Sequence, residues 1–264
     1  MDIDSYLNKL AKQLYIDNSL RDVINNSVDV LKGKIWAEYR ERINSVEVFG
    51  SYDRGTDLPQ SIDEKSDVDI LVIFKSNNVQ PATLLKQLYQ FADNSYSRSD
   101  VLTDHPTVVI EMTKVRFEVV PAYIENSIWN GDELKIPAPR NKELKWIKTE
   151  PQRLKEKLEE KNSEENQFIT PLIKLIKYFN ARQGRPYDSY LIEHHAIACN
   201  YYRGTLKDYF FKFIESLRTG DADEEQKKFI AELQLRRNNL MTLQKGNMSN
   251  YAILELQKFL PLIV

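Results

Sequence analysis

The chain has 264 residues, 42% hydrophobic and 29% charged, an ordinary globular composition long enough for one large domain or two small ones. Its 37 Lys and Arg against 39 Asp and Glu leave a formal charge of −2. This argues against a duplex-coating protein, which needs many phosphate-neutralising cations. One cysteine, Cys199, excludes a disulfide framework or a thiolate-rich zinc site within one chain. It lies in an apolar helical stretch and reads as a small core residue. The start Met1-Asp2-Ile3-Asp4 lacks the pattern of a secretory signal and no apolar run is long enough to span a bilayer, so the expectation is a cytoplasmic chain without a membrane partner.

In chain order, Leu20, Val23, Ile24, Val28, Leu31 and Ile35 recur at helical spacing and predict a long helix over 20–43. Residues 46–49 predict a short strand that ends at Gly50. The polar stretch 53–65, with Gly55 and Pro59, reads as a loop. Residues 67–74 form an apolar strand with an acidic start, and 81–93 read as a helix. Residues 107–112 and 115–121, joined by Thr113-Lys114, predict an antiparallel hairpin. After Pro121 the strand signals stop, and Pro137, Pro139 and Pro151 suggest an extended connector over 137–151. Residues 152–166 alternate Lys and Glu as a solvated helix surface does. Helices are expected over 168–182, 189–202, 206–218 and 224–243. The fold class is α+β: a small mixed sheet with helices over 1–136, then a helical domain over 137–264, as two lobes with a cleft between them.

Asp67 and Asp69 stand two apart on the strand, so alternation puts both carboxylates on one face. Their repulsion and lost solvation favour a divalent cation, and Mg²⁺ takes oxygen ligands and shares them with phosphates. The plainer alternative is a solvated strand end. Upstream, a strand runs into Gly50-Ser51, a turn able to offer backbone N–H groups and a hydroxyl to a triphosphate; there is no Walker A spacing. Further on, Lys174 and Lys177 lie three apart, opposite the face that carries Leu172, Leu175, Ile176 and Phe179. Lys177, with Ser189 and Tyr190 at a helix start, could hold a nucleotide by charge, hydroxyl and ring. The alternatives are a solvated lysine, a plain helix cap and a half-buried core aromatic. The adjacent His194 and His195 point about 100° apart on a helix and are poorly placed to share one metal.

Gly50-Ser51 followed by Asp67-Val68-Asp69 resembles the signature of the DNA polymerase β-like nucleotidyltransferase superfamily over residues 45–123. There a neighbouring strand supplies a third carboxylate. Val115-Arg116-Phe117-Glu118-Val119-Val120-Pro121 resembles that block, with Glu118 where Asp is more usual. The order of Trp146-Ile147-Lys148-Thr149-Glu150-Pro151, Lys177 and Ser189-Tyr190 extends the resemblance across nearly the whole chain. It is that of the bacterial cyclic-oligonucleotide synthases related to animal cyclic GMP-AMP synthase (CD-NTases). The resemblance implies two Mg²⁺ or Mn²⁺ ions at Asp67, Asp69 and Glu118, with Gly50, Ser51, Lys177, Ser189 and Tyr190 on the nucleotide. The substrates would be ATP, GTP or pyrimidine triphosphates. The product would be a cyclic di- or oligonucleotide second messenger acting on a separate effector in antiviral defence, with a nucleic acid or protein as activator. A template-independent linear polymerase, a donor to a small acceptor and a catalytically inactive nucleotide sensor are the other readings.

Overall fold

The computed structural model of the chain describes residues 1–76, 78–104, 106–127, 131–138, 145–220 and 222–263. Contacts divide it into two units: Ile16–Gln60 with Lys65–Arg153, and Met1–Tyr15 with Ser61–Glu64 and Leu154–Val264. The first helix, α1 (Ile3–Gln13), is capped by Asp2 and belongs to the second, helical unit. Its buried positions Ile3, Tyr6, Leu7, Leu10 and Ala11 recur at full helical spacing, so the local signal was present and was passed over.

The first unit opens with α2 (Asn18–Tyr39), whose N-cap Asp17 accepts from the Leu20 amide. Its stripe Ile24, Val28, Leu31, Ile35 and Tyr39 is buried as the periodicity requires. A single 3₁₀ turn, Arg40–Arg42, leads into β1 (Ile43–Phe49), then the four-residue helix α3 (Gly50–Asp53). The polar stretch after it returns the chain to β2 (Val68–Phe74), followed by α4 (Pro81–Ser95). Strands β3 (Asp100–Asp104), β4 (Thr107–Glu111) and β5 (Arg116–Ser127) come next, and β4 and β5 form the expected antiparallel pair.

Strand structure does not stop at Pro121. β5 continues to Ser127, and β6 (Gly131–Pro137) and β7 (Trp146–Thr149) extend the sheet. The division expected at residue 136 is thereby moved: the first unit runs on to Arg153 because β6 and β7 are hydrogen-bonded onto β5. The prolines mislead because Pro137 ends β6 beside a partner strand; Pro139, within the expected connector, lies outside the described residues.

The sheet order is β1-β2-β5-β4-β3, with β2 and β5 parallel and the other neighbours antiparallel. Alternation along β2 splits its side chains between two cores. Val68, Ile70, Val72 and Phe74 join the large cluster with α2 and α4, whereas Leu71 and Ile73 meet Val120 and Ala122 on the opposite face.

The helical unit contains α5 (Pro151–Glu164) from Leu154 onward, then α6 (Ile169–Arg182), α7 (Ser189–Ala198), α8 (Leu206–Ser216), α9 (Glu224–Lys245) and α10 (Ser249–Phe259). α6 is its central helix, touching α1, α7 and α8, and every residue from Leu172 to Asn180 is buried. No helix among the described residues is long and apolar enough to cross a membrane. The small mixed sheet with helices, followed by a helical unit, is the expected α+β class.

Candidate functional site

Asp69 lies in β2 on the face of Leu71 and Ile73, at the end where the apolar side chains give way to polar ones. The parallel register sets it level with Glu118 of β5, so the two carboxylate-bearing residues are neighbours on adjacent strands. Asp67 stands one residue ahead of β2, on the wall of a small cavity with Tyr52, Asp57, Val115 and Arg116.

Gly50 explains why α3 starts where it does. Its φ is +76°, a region that L side chains rarely adopt, and a Cβ there would lie 1.8 Å from Oδ2 of Asp69. The absent side chain is thus the space that the Asp69 carboxylate occupies. β1 and β2 bring this about by pairing Phe49 with Asp69, which places the turn after β1 directly beside the acid. Ser51, half-buried in the first turn of α3, accepts the Thr56 amide on its backbone oxygen at 3.0 Å.

The donor chemistry of Asp67, Asp69 and Glu118 suits a hard divalent cation, and the Gly50 cradle holds one carboxylate at the site. Among the described residues, however, no three His, Cys, Asp or Glu side chains converge at metal-holding geometry. Glu118 instead accepts from Nη2 of Arg116 at 3.3 Å, and Nη1 of the same guanidinium donates to Glu111. Sequence reasoning named Glu118 and passed over Arg116. The signal was present in the period-two alternation, which puts residues 116 and 118 on the same face.

In the helical unit, Lys177 is not on a polar face. Both lysines of α6 are buried, because the helix is enclosed on all sides. Nζ of Lys177 meets Oε1 of Glu193 on α7 at 2.6 Å, with 6% and 1% of the two side chains exposed. Nζ of Lys174 lies 3.5 Å from the Leu14 carbonyl and over the Tyr15 ring. Glu193 could not be found from local spacing, since it is sixteen residues from Lys177. Ser189 is the first residue of α7, but the cap is Asp188, whose carboxylate accepts the Tyr190 amide at 2.7 Å. Tyr190 is 53% exposed, its ring centred 4.3 Å from that of His194, so it is not a core aromatic. His195 turns away to Ser216 Oγ at 2.7 Å, and burial holds its pKa below the usual imidazole value. Arg236 and Arg237 are committed to Glu232, Glu255 and the Phe211 carbonyl.

Residues 1–162 match the family profile of the Second Messenger Oligonucleotide or Dinucleotide Synthetase domain (SMODS). The chain belongs to this family. Membership makes it a nucleotidyltransferase of the cyclic-oligonucleotide-synthase class. Solved structures share its fold at low sequence identity. CdnG of Bradyrhizobium diazoefficiens, a CD-NTase solved with GTP, is 12% identical with a TM-score of 0.72, over 97% of this chain and 98% of that one. CdnC of E. coli MS115-1, in complex with HORMA-deltaN, is 10% identical with a TM-score of 0.70, over 99% and 97%. The CdnE c-UMP-AMP synthase of Rhodothermus marinus, with Apcpp and Upnpp, is 16% identical with a TM-score of 0.63, over 87% and 94%. A search of curated proteins by sequence returned no match.

Proposed function

We propose that this SMODS-family chain joins nucleoside triphosphates into a cyclic di- or oligonucleotide, releasing pyrophosphate at each step, and that the product serves antiphage signalling through a separate effector. The observation that carries the reading is the nesting of Asp69 against Gly50, with Glu118 in register on the parallel strand. It couples the glycine turn to the acidic strand, two motifs that each mean little alone.

Two divalent cations, Mg²⁺ or Mn²⁺, held by Asp67, Asp69 and Glu118, would supply Lewis-acid activation of a ribose hydroxyl and charge neutralisation at the triphosphate. The chain's own residues bind and orient. Gly50 and Ser51 take phosphate oxygens at the turn. A carboxylate of the acidic set stands ready to accept the hydroxyl proton. Lys177, Ser189 and Tyr190 are assigned to the nucleotide by chemistry: cation, hydroxyl and an exposed ring able to stack on a base. The nucleotides carried by CdnG and the Rhodothermus CdnE support triphosphate substrates, and the CdnC complex supports a protein partner as a means of control.

The test is incubation with all four labelled triphosphates and Mg²⁺ or Mn²⁺, then phosphatase and separation of products. A phosphatase-resistant product, lost in Asp67→Asn by at least about 100-fold without loss of fold, is the expected outcome. A phosphatase-sensitive ladder would instead make the chain a linear polymerase. Substantial turnover in Asp67→Asn would sink the metal assignment.

A further inference from the structure

Arg116 is set directly against a carboxylate of the proposed metal site, and its surroundings are graded. Nη1 contacts Oε1 of Glu111 at 2.5 Å, Nη2 contacts Oε1 of Glu118 at 3.3 Å, and Nη2 lies 3.9 Å from Oδ2 of Asp104. These carboxylates come from three strands, β3, β4 and β5, and the register pairs Arg116 directly with Glu111. The Arg116 and Glu118 side chains are each 19% exposed, so water screens their attraction only in part. The buried Nε of Arg116 has no hydrogen-bond partner among the described residues, so the fork is not locked in place by all its donors. Glu111 therefore anchors the guanidinium, and Glu118 is the looser partner, able to leave without Arg116 losing its place.

We infer that Arg116 is a positioning residue acting through Glu118: a built-in counter-ion that holds the third carboxylate, and that a divalent cation must displace. The inference rests on the assignment of Glu118 as a metal ligand. Without a cation, the guanidinium offsets the repulsion among Asp67, Asp69 and Glu118. When a cation binds, Glu118 exchanges its partner while Glu111 keeps Arg116 in position. Arg116 thus opposes metal binding, lowering the affinity of the nucleotide-free chain for its ions. A purely structural bridge between β4 and β5 would have no such sign.

The test is Mn²⁺ binding alone, followed by the electron paramagnetic resonance signal of free Mn²⁺ on the full chain, with circular dichroism to check folding. Arg116→Gln should tighten Mn²⁺ binding about tenfold, because a cation competing for Glu118 is removed. Glu111→Gln, a change at a half-exposed side chain, should weaken it several-fold, because the guanidinium then bears more strongly on Glu118. Lys86→Gln removes the same charge on the exposed side of α4, across the sheet from Asp69, and should leave binding unchanged. Unchanged or weaker binding in a folded Arg116→Gln overturns the inference, as does equal tightening in Lys86→Gln. If Arg116→Gln does not fold, the direction of Glu111→Gln decides. Glu118→Gln separates the two levels: if it binds Mn²⁺ as the parent does, the ligand assignment fails and the inference with it. If it loses binding while Arg116→Gln changes nothing, the counter-ion role alone is wrong.

Discussion

A single missing methyl group organises the acidic end of the sheet. Gly50→Ala would force its Cβ onto the Asp69 carboxylate and hold an L side chain at positive φ. We expect a loss of roughly 1–3 kcal/mol in stability from the backbone conformation alone, read as a lower denaturant midpoint. Activity should fall further than stability does, because the displaced group is a proposed metal ligand. Lys177 poses a different problem. Truncating either member of its pair with Glu193 leaves a charge that is almost fully buried, at a cost of roughly 3–5 kcal/mol. An inactive Lys177→Ala would therefore not separate phosphate binding from unfolding. The double variant Lys177→Met/Glu193→Leu should recover most of the lost stability in chemical denaturation. If Lys177 contacts phosphate, that stable protein stays inactive; full activity would remove Lys177 from the site.

Among the elements, the joint between α7 and α8 gives the molecule a pH response. His195 on α7 faces Ser216 at the end of α8, with Phe213 edge-on to its ring at 5.0 Å. Burial, helped by the charge of Arg218, lowers its pKa from the ordinary 6.5. Above that value the imidazole is neutral in both states and the full stability is present. As pH falls below it, the unfolded chain takes up a proton that the folded chain refuses, and stability declines. Thermal unfolding between pH 7 and 5 should show this decline, and His195→Gln should flatten it. An equal slope in the variant would place the response elsewhere. Elements with strong local signals were legible in advance: the α2 stripe, the β4–β5 pair and β2, apolar after its acidic start. Those that were not legible owe their form to a neighbour. β6 and β7 carry charged residues that pair across strands, Lys135 with Glu125 of β5 and Lys148 with Glu133, and only β5 makes them part of a sheet.

For the molecule as a whole, chain order and spatial order part company at the N-terminus. Tyr6, Leu7, Leu10 and Leu14 are fully buried against α6, α8 and α10, and the Tyr6 hydroxyl donates to the Leu260 carbonyl. Each such side chain stabilises by roughly 1.5–3 kcal/mol on burial. Deletion of residues 1–15 should therefore unfold the helical unit and drive aggregation, although the segment is distant in sequence from every proposed site residue. A soluble, cooperatively unfolding 16–264 fragment would contradict this.

The sequence by itself determined the parts set by short-range periodicity. Strand alternation put Asp67 and Asp69 on one face, and Gly50-Ser51 marked the turn at the end of β1. Only the tertiary structure decided what those groups touch. Packing enclosed α6 on every side and so turned two lysines expected at the surface into buried ones. Pairing of β1 with β2 set Asp69 against Gly50, and the parallel pairing of β2 with β5 set Asp69 level with Glu118. Such contacts depend on distances closed by folding, which no local pattern of residues encodes.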